Sequence, residues 1–492
     1  MDLKNKKRIK GANPYMPLWE HVPDGEPRVF TYNGESRVYV YGSHDTLKTE
    51  YCGLDQVVWS APVSDLTDWR CDGVCFRSPD GEPLYAPDVV QKGDTFYMYA
   101  ALSRGSKVVV AKSKNPAGPF EDPVETELGF DPGILVDDDG RVYAYWGFTS
   151  AYCAELNDDM ATIKPGTLRE HIIPHCERGS GWWDAEEEHT DKVFSFFEAS
   201  SLRKIGGKYI YIYSRRQCEA VPEEGLPADS NGYLAYAYSD NPLGDWVYGG
   251  IISNNAGEIV ECADGSKKRA YPTGNNHGSI AEVNGQWYVF YHRMIGTDEF
   301  ARQAMLDPID VAVDSSGRVY IGRIEYGENG EPISSSETEM TSQGAHLNGL
   351  DARALISAGY ACYLTSETDG VTPFASSSKG AYIKPVYDGI ESAPVAGIKS
   401  GTVAGFRYIN FGAESQKEIY LKLNSAVNGG IVNVRLDSSD GDIAACAETK
   451  DGLSEYVIPL RCEITGKRAL FFEFIHEDTD KQICEFDCFT FE

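Results

Sequence analysis

Titratable residues recur at the same position of a repeated unit in this chain, about ten residues before a short apolar strand pattern. The position is occupied by Asp24, Asp88, Asp131 and Glu198, and a fifth copy has His277 in its place. A polar position that recurs in a repeated unit points toward the common axis of a radial array. Carboxylates that converge there lose water and repel one another, so the pKa of at least one rises enough for it to hold a proton near neutral pH.

Such a group of residues could supply both a general acid and a general base. Hydrolysis of a glycosidic bond needs this pair, because one carboxyl group protonates the leaving oxygen while the other activates water. Taken alone, an Asp beside a turn is more often a cap or an Asx turn. Glu198 is harder to explain in this way, because it follows the apolar run 193–197, where an unpaired charge is costly.

Five strand patterns follow these positions. They are rich in Tyr, Val, Ile and Phe, alternate at period two, and are opened by turn dipeptides such as Asn33-Gly34. They cover residues 37–43, 95–101, 141–147, 208–214 and 286–292. Polar turns that end a third strand recur at 64–69, 113–120, 156–160 and 239–246. We therefore predict a propeller of five four-stranded blades, with the recurring polar residues near the mouths of the innermost strands.

The chain divides after the fifth unit. Residues 1–326 are predicted to form the five-bladed β-propeller, and 327–345 have the polar, Ser- and Glu-rich composition of a connector. Residues 346–492 show the short alternating strands of a jelly-roll-like β-sandwich. The predicted fold class is therefore all-β. Every Trp precedes the second domain, so Tyr or Phe would have to supply any stacking platform there.

Composition argues against several kinds of partner. Asp plus Glu number 75 against 45 Lys plus Arg, and the formal net charge of −30 repels nucleic acid and anionic lipid. The basic amino terminus is not followed by an apolar stretch, and no run of 18 apolar residues occurs. We expect a cytoplasmic protein without nucleic acid or membrane partners, and the sequence leaves the oligomeric state open.

Several segments, taken in order, resemble glycoside hydrolase family 43, a family of five-bladed propellers. The resemblance spans about residues 12–325 and rests on NPYMPLWEHVPDGEPRVF, VYVYGSHD, YAPDVV, FDPGILVDDDGRVYAYWG, EASSLRKIGGKYIYIYS and NNHGSIAEVNGQWYVFYHR. It implies an inverting glycosidase that acts on arabinose- or xylose-containing plant polysaccharides. We expect exo-action on short, imported oligosaccharides that releases arabinofuranosyl or xylosyl residues.

The resemblance also implies roles for the three acids. Asp24 becomes the general base, Glu198 the general acid, and Asp131 the residue that orients the acid and adjusts its pKa. Many relatives have Asp followed by Pro in the first motif, whereas this chain has PDGEP, so Glu26 could compete for the role of base. The alignment of Pro27 with relatives that carry a second Pro favours Asp24.

The remaining predicted contacts concern an ion and the substrate. His277 matches a histidine that in many relatives contacts a central ion, often calcium and usually through water, so a structural calcium ion is expected near it. The chemistry itself needs no cofactor. Asp88 is predicted to have a structural or substrate-positioning role, and Arg302 could lie over the sugar as a cation. Candidate stacking walls of the sugar subsites are Trp19, Trp182 and Trp183.

The second domain resembles family 6 carbohydrate-binding modules through YIKPVYDGIESAPV, GFRYINFG and CEFDCFTFE. Sugar binding and a structural role packed against the propeller both remain open for it.

Two other functions also remain open. A retaining fructan hydrolase would carry Asn-Asp-Pro-Asn and Arg-Asp-Pro motifs, where this chain has Pro23-Asp24-Gly25 and Phe130-Asp131-Pro132. A non-catalytic glycan-binding propeller would not need acidic residues at all three positions.

Overall fold

Five antiparallel sheets follow one another along the first part of the chain. The computed structural model describes residues 6–102, 107–174, 194–217, 230–261, 265, 267–366, 380–387 and 389–492. The first sheet contains β1 (Glu26–Tyr32), β2 (Glu35–Tyr41), β3 (Asp55–Pro62) and β4 (Arg70–Arg77). The second contains β5 (Leu84–Lys92), β6 (Thr95–Leu102), β7 (Lys107–Ser113) and β8 (Glu121–Glu125). The third contains β9 (Gly133–Val136), β10 (Val142–Trp146) and β11 (Tyr152–Leu156).

The fourth sheet contains β12 (Phe194–Ile205), β13 (Lys208–Gln217), β14 (Ser230–Ser239) and β15 (Val247–Asn254). A small hairpin of β16 (Ile259–Glu261) and β17 (Lys267–Arg269) comes next. The fifth sheet contains β18 (Ser279–Val283), β19 (Gln286–Arg293), β20 (Gln303–Val313), β21 (Val319–Tyr326) and β22 (Pro332–Ser336).

The sheets differ in strand number from the uniform four that we predicted. The third has three strands among the described residues, and the fifth has five. Its fifth strand, β22, lies inside the segment 327–345 that was predicted as a connector, where it pairs antiparallel with β21. This pairing gives the outer edge of β21 backbone partners that it would otherwise lack.

The innermost strands form a closed ring. β1 packs beside β5, β5 beside β9, β9 beside β12, β12 beside β18, and β18 beside β1. Apolar clusters fill the spaces between neighbouring sheets, for example Val40, Phe290 and Leu306 between the first and the fifth. Because each sheet is made of consecutive strands, side-chain packing rather than a shared sheet closes the ring. The prediction of a five-bladed propeller is confirmed.

Tight turns set the register of the inner hairpins. Asn33 and Gly34 have φ values of +50° and +82°, and Asn284 and Gly285 have +52° and +82°. Two consecutive left-handed residues make the type I′ turn whose twist matches that of antiparallel strands. The strand patterns recognised in the sequence are therefore the second strands of the blades, and the recurring polar residues lie at or before the first strands.

The second domain is a sandwich of two sheets. One sheet contains β23 (Leu350–Asp351), β25 (Tyr363–Thr365), β28 (Thr402–Asn410), β30 (Ile431–Leu436), β31 (Ile443–Glu448) and β33 (Lys467–Ile475). The other contains β24 (Ile356–Ser357), β26 (Tyr382–Ile383), β27 (Val395–Ile398), β29 (Glu418–Ser425), β32 (Glu455–Pro459) and β34 (Cys484–Phe491). Between them lie packed phenylalanine rings such as Phe406 and Phe489, whose centroids are 4.9 Å apart.

The two domains share an apolar core. A 3-10 helix, Ala358–Tyr360, carries buried residues of the sandwich into the cluster that fills the space between the fourth and fifth blades. The sandwich therefore packs on the propeller through its core-lining side chains. In the described part of the chain, no helix has the length and apolar character needed to cross a membrane.

Candidate active site

Backbone irregularities place the three acidic candidates. Asp24 and Asp131 each adopt a left-handed conformation, with φ of +59° and +50°, just before the innermost strands β1 and β9. Glu198 lies at a register shift in β12, and Ala199 beside it has φ of +73°. Non-glycine residues adopt this conformation infrequently and at some cost, and such residues cluster at functional sites. Each irregularity interrupts regular strand geometry where a carboxylate lies.

Asp24 is held by residues of the fifth blade. One terminal nitrogen of Arg302 donates to Oδ1 of Asp24 at 3.1 Å, and the other two guanidinium nitrogens donate to Asp45 at 2.8 and 3.0 Å. The backbone N–H of Asp24 donates to Nδ1 of His292 at 3.2 Å, while Nε2 of His292 lies 2.9 Å from the carbonyl oxygen of Asn275. Burial lowers the pKa of His292 to about 3, so this ring is neutral and Arg302 is the cation beside Asp24.

Asp24 and Glu198 are perturbed in opposite directions. Burial, the largest single influence, would raise the pKa of Asp24, but the Arg302 guanidinium and smaller contributions from neighbouring groups together lower that pKa below its usual value. Burial raises the pKa of Glu198 well above its usual value, and the negative charges of Asp131 and Asp24 raise it further. Among the described residues Glu198 makes no ion pair. The surroundings therefore favour the ionised form of Asp24 and the protonated form of Glu198.

Asp131 connects the third blade to the residue that follows Glu198. Its Oδ2 accepts a hydrogen bond from the backbone N–H of Ala199 at 3.1 Å and lies 3.5 Å from Nδ1 of His277. Burial raises the pKa of Asp131, and His277 opposes that rise. Burial would lower the pKa of His277, but the Asp131 carboxylate, with smaller contributions from Asp24 and Glu26, raises that pKa. Asp131 is thus placed to fix the backbone at Glu198.

A second set of acids lies along the same ring but in arginine pairs. Arg28 donates to both oxygens of Asp88 at 2.7 and 2.8 Å, and Asp88 also accepts from the backbone N–H of Ile134 at 2.6 Å. Glu26 lies 2.8 Å from Arg203 and 3.2 Å from Arg28. We call these four side chains, Glu26, Arg28, Asp88 and Arg203, the shaft network. They tie the first, second and fourth blades together.

The shaft network bears on two predictions. Glu26 was the alternative to Asp24 as base, but its carboxylate lies between two arginines. Asp88 has both oxygens engaged and is almost completely buried, which favours the structural part of its predicted role over contact with a sugar.

The other predicted substrate contacts have different outcomes. Arg302 lies in the site, but buried beside Asp24 and Asp45 rather than exposed over it. Trp19 is half-buried and packs edge-on against Trp59, with ring centroids 6.3 Å apart. Trp182 and Trp183 lie outside the described residues.

Aromatic residues that the sequence analysis did not select adjoin the acids. Phe130 precedes Asp131, Phe197 precedes Glu198, and Phe148 lies between them with ring centroids 5.6 and 5.3 Å away. The backbone of the turn at Phe148 is fixed at both ends, because Gly147 N–H donates to the Phe130 carbonyl and Thr149 N–H donates to the Phe197 carbonyl. Phe148 is 40% exposed. These rings form an apolar border to the acidic cluster on the side of the third and fourth blades.

His292, Asp45 and Glu299 are further residues that the sequence analysis missed. Asp45 is buried behind Arg302, and Glu299 accepts a hydrogen bond from the hydroxyl of Tyr51. Burial raises the pKa of Glu299. His292 and Asp45 were visible as polar residues that end an apolar strand pattern, in QWYVFYH and VYVYGSHD, and that position was the available signal.

The predicted calcium ion has only part of a side-chain ligand set here. Asp131 offers an oxygen ligand beside His277, which suits the oxygen preference of calcium. No third Asp, Glu, His or Cys joins them in a metal-holding group within the described ranges. The ion therefore stays a prediction, and the chemistry proposed below does not depend on it.

Comparisons with known proteins identify the family. The model of glycosyl hydrolases family 43 matches residues 27–315. The chain belongs to this family. A xylosidase/arabinosidase of Thermoclostridium stercorarium is 34% identical over 461 residues, which cover 86% of this chain and 87% of the relative.

Two further matches are more distant. An arabinoxylan arabinofuranohydrolase of Paenibacillus polymyxa is 26% identical over 488 residues, covering 90% of this chain and 68% of the relative. The crystal structure of a family 43 arabinoxylan arabinofuranohydrolase from Bacillus subtilis, in complex with cellotetraose, matches with a TM-score of 0.45 at 21% identity over 97% of both chains. The prediction of a family 43 glycosidase is confirmed, whereas the likeness of the sandwich to family 6 modules stays a prediction.

Proposed function

We propose that this protein is an inverting, exo-acting glycosidase that removes arabinofuranosyl or xylosyl residues from plant-derived arabinoxylo- and arabino-oligosaccharides. The observation that carries the proposal is the opposite perturbation of two acids that act on each other electrostatically. Asp24 is kept ionised by Arg302, while Glu198 is kept protonated by burial and by its acidic neighbours. Inverting hydrolysis requires this division between a base and an acid.

In the proposed reaction, Glu198 donates its proton to the glycosidic oxygen as the bond to the anomeric carbon breaks. Asp24 takes a proton from a water molecule, which attacks that carbon from the opposite face. Asp131 holds the backbone at Ala199 and so fixes the direction of the Glu198 side chain. After the reaction Glu198 is ionised and Asp24 protonated, and exchange with solvent restores both.

The substrate class is supported by the relatives. The proteins of Thermoclostridium stercorarium and Paenibacillus polymyxa carry the names xylosidase/arabinosidase and arabinoxylan arabinofuranohydrolase. Both names concern pentose-containing glycans. We therefore propose arabinofuranosyl and xylosyl groups as the released sugars, with an oligosaccharide as the leaving part.

The stereochemistry of the first product tests the proposal. Proton NMR of fresh digests of p-nitrophenyl arabinofuranoside and xyloside should show the anomer opposite to that of the substrate. Asp24→Asn and Glu198→Gln should each lose most turnover of xylo- and arabino-oligosaccharides, while Arg70→Met, which changes an exposed salt bridge, should not. A product that retains its configuration, or full turnover in both acid variants, would reject the proposed mechanism.

A further inference from the structure

Arg293, the last residue of β19, is a fully buried cation without an acidic partner among the described residues. Its guanidinium donates to the carbonyl oxygens of Ala361, at 2.6 Å, and of Gly359, both in the sandwich domain. It also donates to the side-chain oxygen of Gln303 at 2.9 Å. A buried guanidinium needs all its donors satisfied. Arg293 therefore fixes the end of a propeller strand against the backbone of the second domain.

The sandwich contacts the loop that follows Arg293 at a second point. This loop, residues 294–302, joins β19 to β20, and we call it the base loop. The backbone N–H of Gly296 donates to the carbonyl oxygen of Ile383 at 2.8 Å. Gly296 has φ of +71°, and a Cβ atom there would lie 2.9 Å from Cγ of Pro385. The close approach of the sandwich to the base loop thus requires glycine.

The hydrogen bonds of Arg293 to Gln303 and to the sandwich backbone form a clamp, and His292 and Arg302, the two partners of Asp24, flank it. Arg293 pairs with Gln303 across the two strands, and His292 pairs with Ala304. His292 is therefore one residue before Arg293, and Arg302 is one residue before Gln303. A shift of the Arg293–Gln303 pair would move the imidazole that accepts from the Asp24 backbone and the guanidinium that donates to its carboxylate.

We propose that the β-sandwich positions the general base of the propeller, and that Arg293 is the positioning residue through which it does so. The inference rests on the proposed function, because it takes Asp24 as the base. It gives the second domain a part in catalysis that does not depend on whether that domain binds sugar. Arg293 acts only through Arg302 and His292.

Several charged or titratable groups face Asp24 and determine how it responds. Arg302 and His292 come from the fifth blade, and His277 precedes the innermost strand of that blade. Asp131 and Glu198 act on Asp24 from the third and fourth blades. Of these, only Arg302 and His292 are attached to the strands that Arg293 clamps, so loosening the clamp removes mainly the cation that favours ionised Asp24.

The test compares pH profiles of kcat/KM for the full-length wild type and for Arg293→Met. The acid limb reports the pKa of the base, because Asp24 must be ionised to act. Displacement of an adjacent cation raises a carboxyl pKa, so the variant's acid limb should move up by about one pH unit. One unit below the wild-type limb, kcat/KM should fall about tenfold further than in the wild type. Arg293→Lys keeps the positive charge but has fewer hydrogen-bond donors. Its acid limb should therefore lie between those of the wild type and Arg293→Met.

Arg407→Met is the matched control. Arg407 is also a buried arginine of the domain interface, but it binds Glu258 at 2.6 Å and faces Glu339 rather than the base loop. Arg407→Met should lower the melting temperature without moving the acid limb of the pH profile. The proposal is overturned if Arg293→Met and Arg293→Lys lose stability as Arg407→Met does while their acid limbs stay at the wild-type pH. Arg293→Lys serves alone if Arg293→Met does not fold. Absence of wild-type turnover on any pentoside would instead reject the proposed function.

Discussion

Two groups of buried acids lie around the axis of the same propeller, and they differ in their cationic partners. In the shaft network, Glu26 and Asp88 are each paired with arginines at 2.7 to 2.8 Å. At the candidate active site, which we call the mouth, Asp24 shares Arg302 with Asp45. Glu198, in the same site, has no ion pair in the described part of the chain. The first group connects blades, and the second keeps one acid ionised and another protonated.

The two groups of acids differ in how far neighbouring cations compensate their charge. Both groups lie on or just before the innermost strands, and both are buried. The difference is the degree of charge compensation: Arg28 binds both oxygens of Asp88, whereas Asp24 shares one arginine with Asp45 and Glu198 has no ion pair among the described residues. We therefore propose that position on the ring alone does not mark a catalytic residue, and that the arginine-bound Asp88 has a structural role.

Substitution of Glu198, the acid without an ion pair among the described residues, should reduce activity most. Glu198→Gln should lower kcat on xylo- and arabino-oligosaccharides by about 10²- to 10⁴-fold, because general acid assistance is removed. Its melting temperature should change little, since the amide replaces a carboxyl group that is already protonated. A large loss of stability with kcat preserved would place Glu198 with the structural acids.

The opposite pattern is expected in the shaft network. Arg28→Met leaves Asp88 and Glu26 without one of their cations and should lower the free energy of unfolding by about 3 to 5 kcal/mol. Urea unfolding measures this loss, and kcat per folded molecule should stay near the wild-type value. Arg70→Met, at an exposed salt bridge with Asp72, is the control and should change stability far less. Equal effects of the two variants would contradict the proposed role of the network.

The pH profile of the wild type tests the division of roles between Asp24 and Glu198. Activity should fall as pH drops below the lowered pKa of Asp24, because the base becomes protonated, and fall as pH rises above the raised pKa of Glu198, because the acid ionises. Beyond each limb kcat/KM should change about tenfold per pH unit. Glu198→Gln should remove the alkaline limb. An alkaline limb in the usual range of a glutamate would contradict the assignment.

The smallest effect concerns the apolar border of the mouth. Phe148→Ala should lower kcat/KM for oligosaccharides by about fivefold, from a lost ring contact of about 1 kcal/mol. Turnover of a small p-nitrophenyl pentoside should change less than that of an oligosaccharide if Phe148 contacts the leaving part. Tyr326→Ala, at a 51% exposed ring on the outer strand β21, is the control and should affect neither substrate.

The sequence predicted the repeated units because their cause is local. Turn residues such as Asn33-Gly34 and alternating strands are readable from neighbouring residues, and the recurrence of Asp24, Asp131 and Glu198 at one register predicted their convergence. The pairing of charges was not predictable in this way. Arg28 and Asp88 meet because blades meet, and nothing beside either residue in the chain announces the other.

The individual differences between the predicted and the observed site also arise from contacts between residues that are distant in the chain. Arg302 was recognised as a cation of the site, but its burial between Asp24 and Asp45 depends on a contact between the first and fifth blades. β22 was missed because its polar composition resembles a linker, and only the open edge of β21 makes it a strand. The placement of Trp19 against Trp59 likewise follows from packing rather than from its own segment.

The closure of the ring has a consequence for synthesis of the protein. His292 and Arg302 leave the ribosome 268 and 278 residues after Asp24. Any fragment that stops before the fifth blade holds this carboxylate without its guanidinium. We therefore expect the growing chain to lack hydrolytic activity until the fifth blade has packed against the first, and proteolysis that removes the fifth blade to abolish activity.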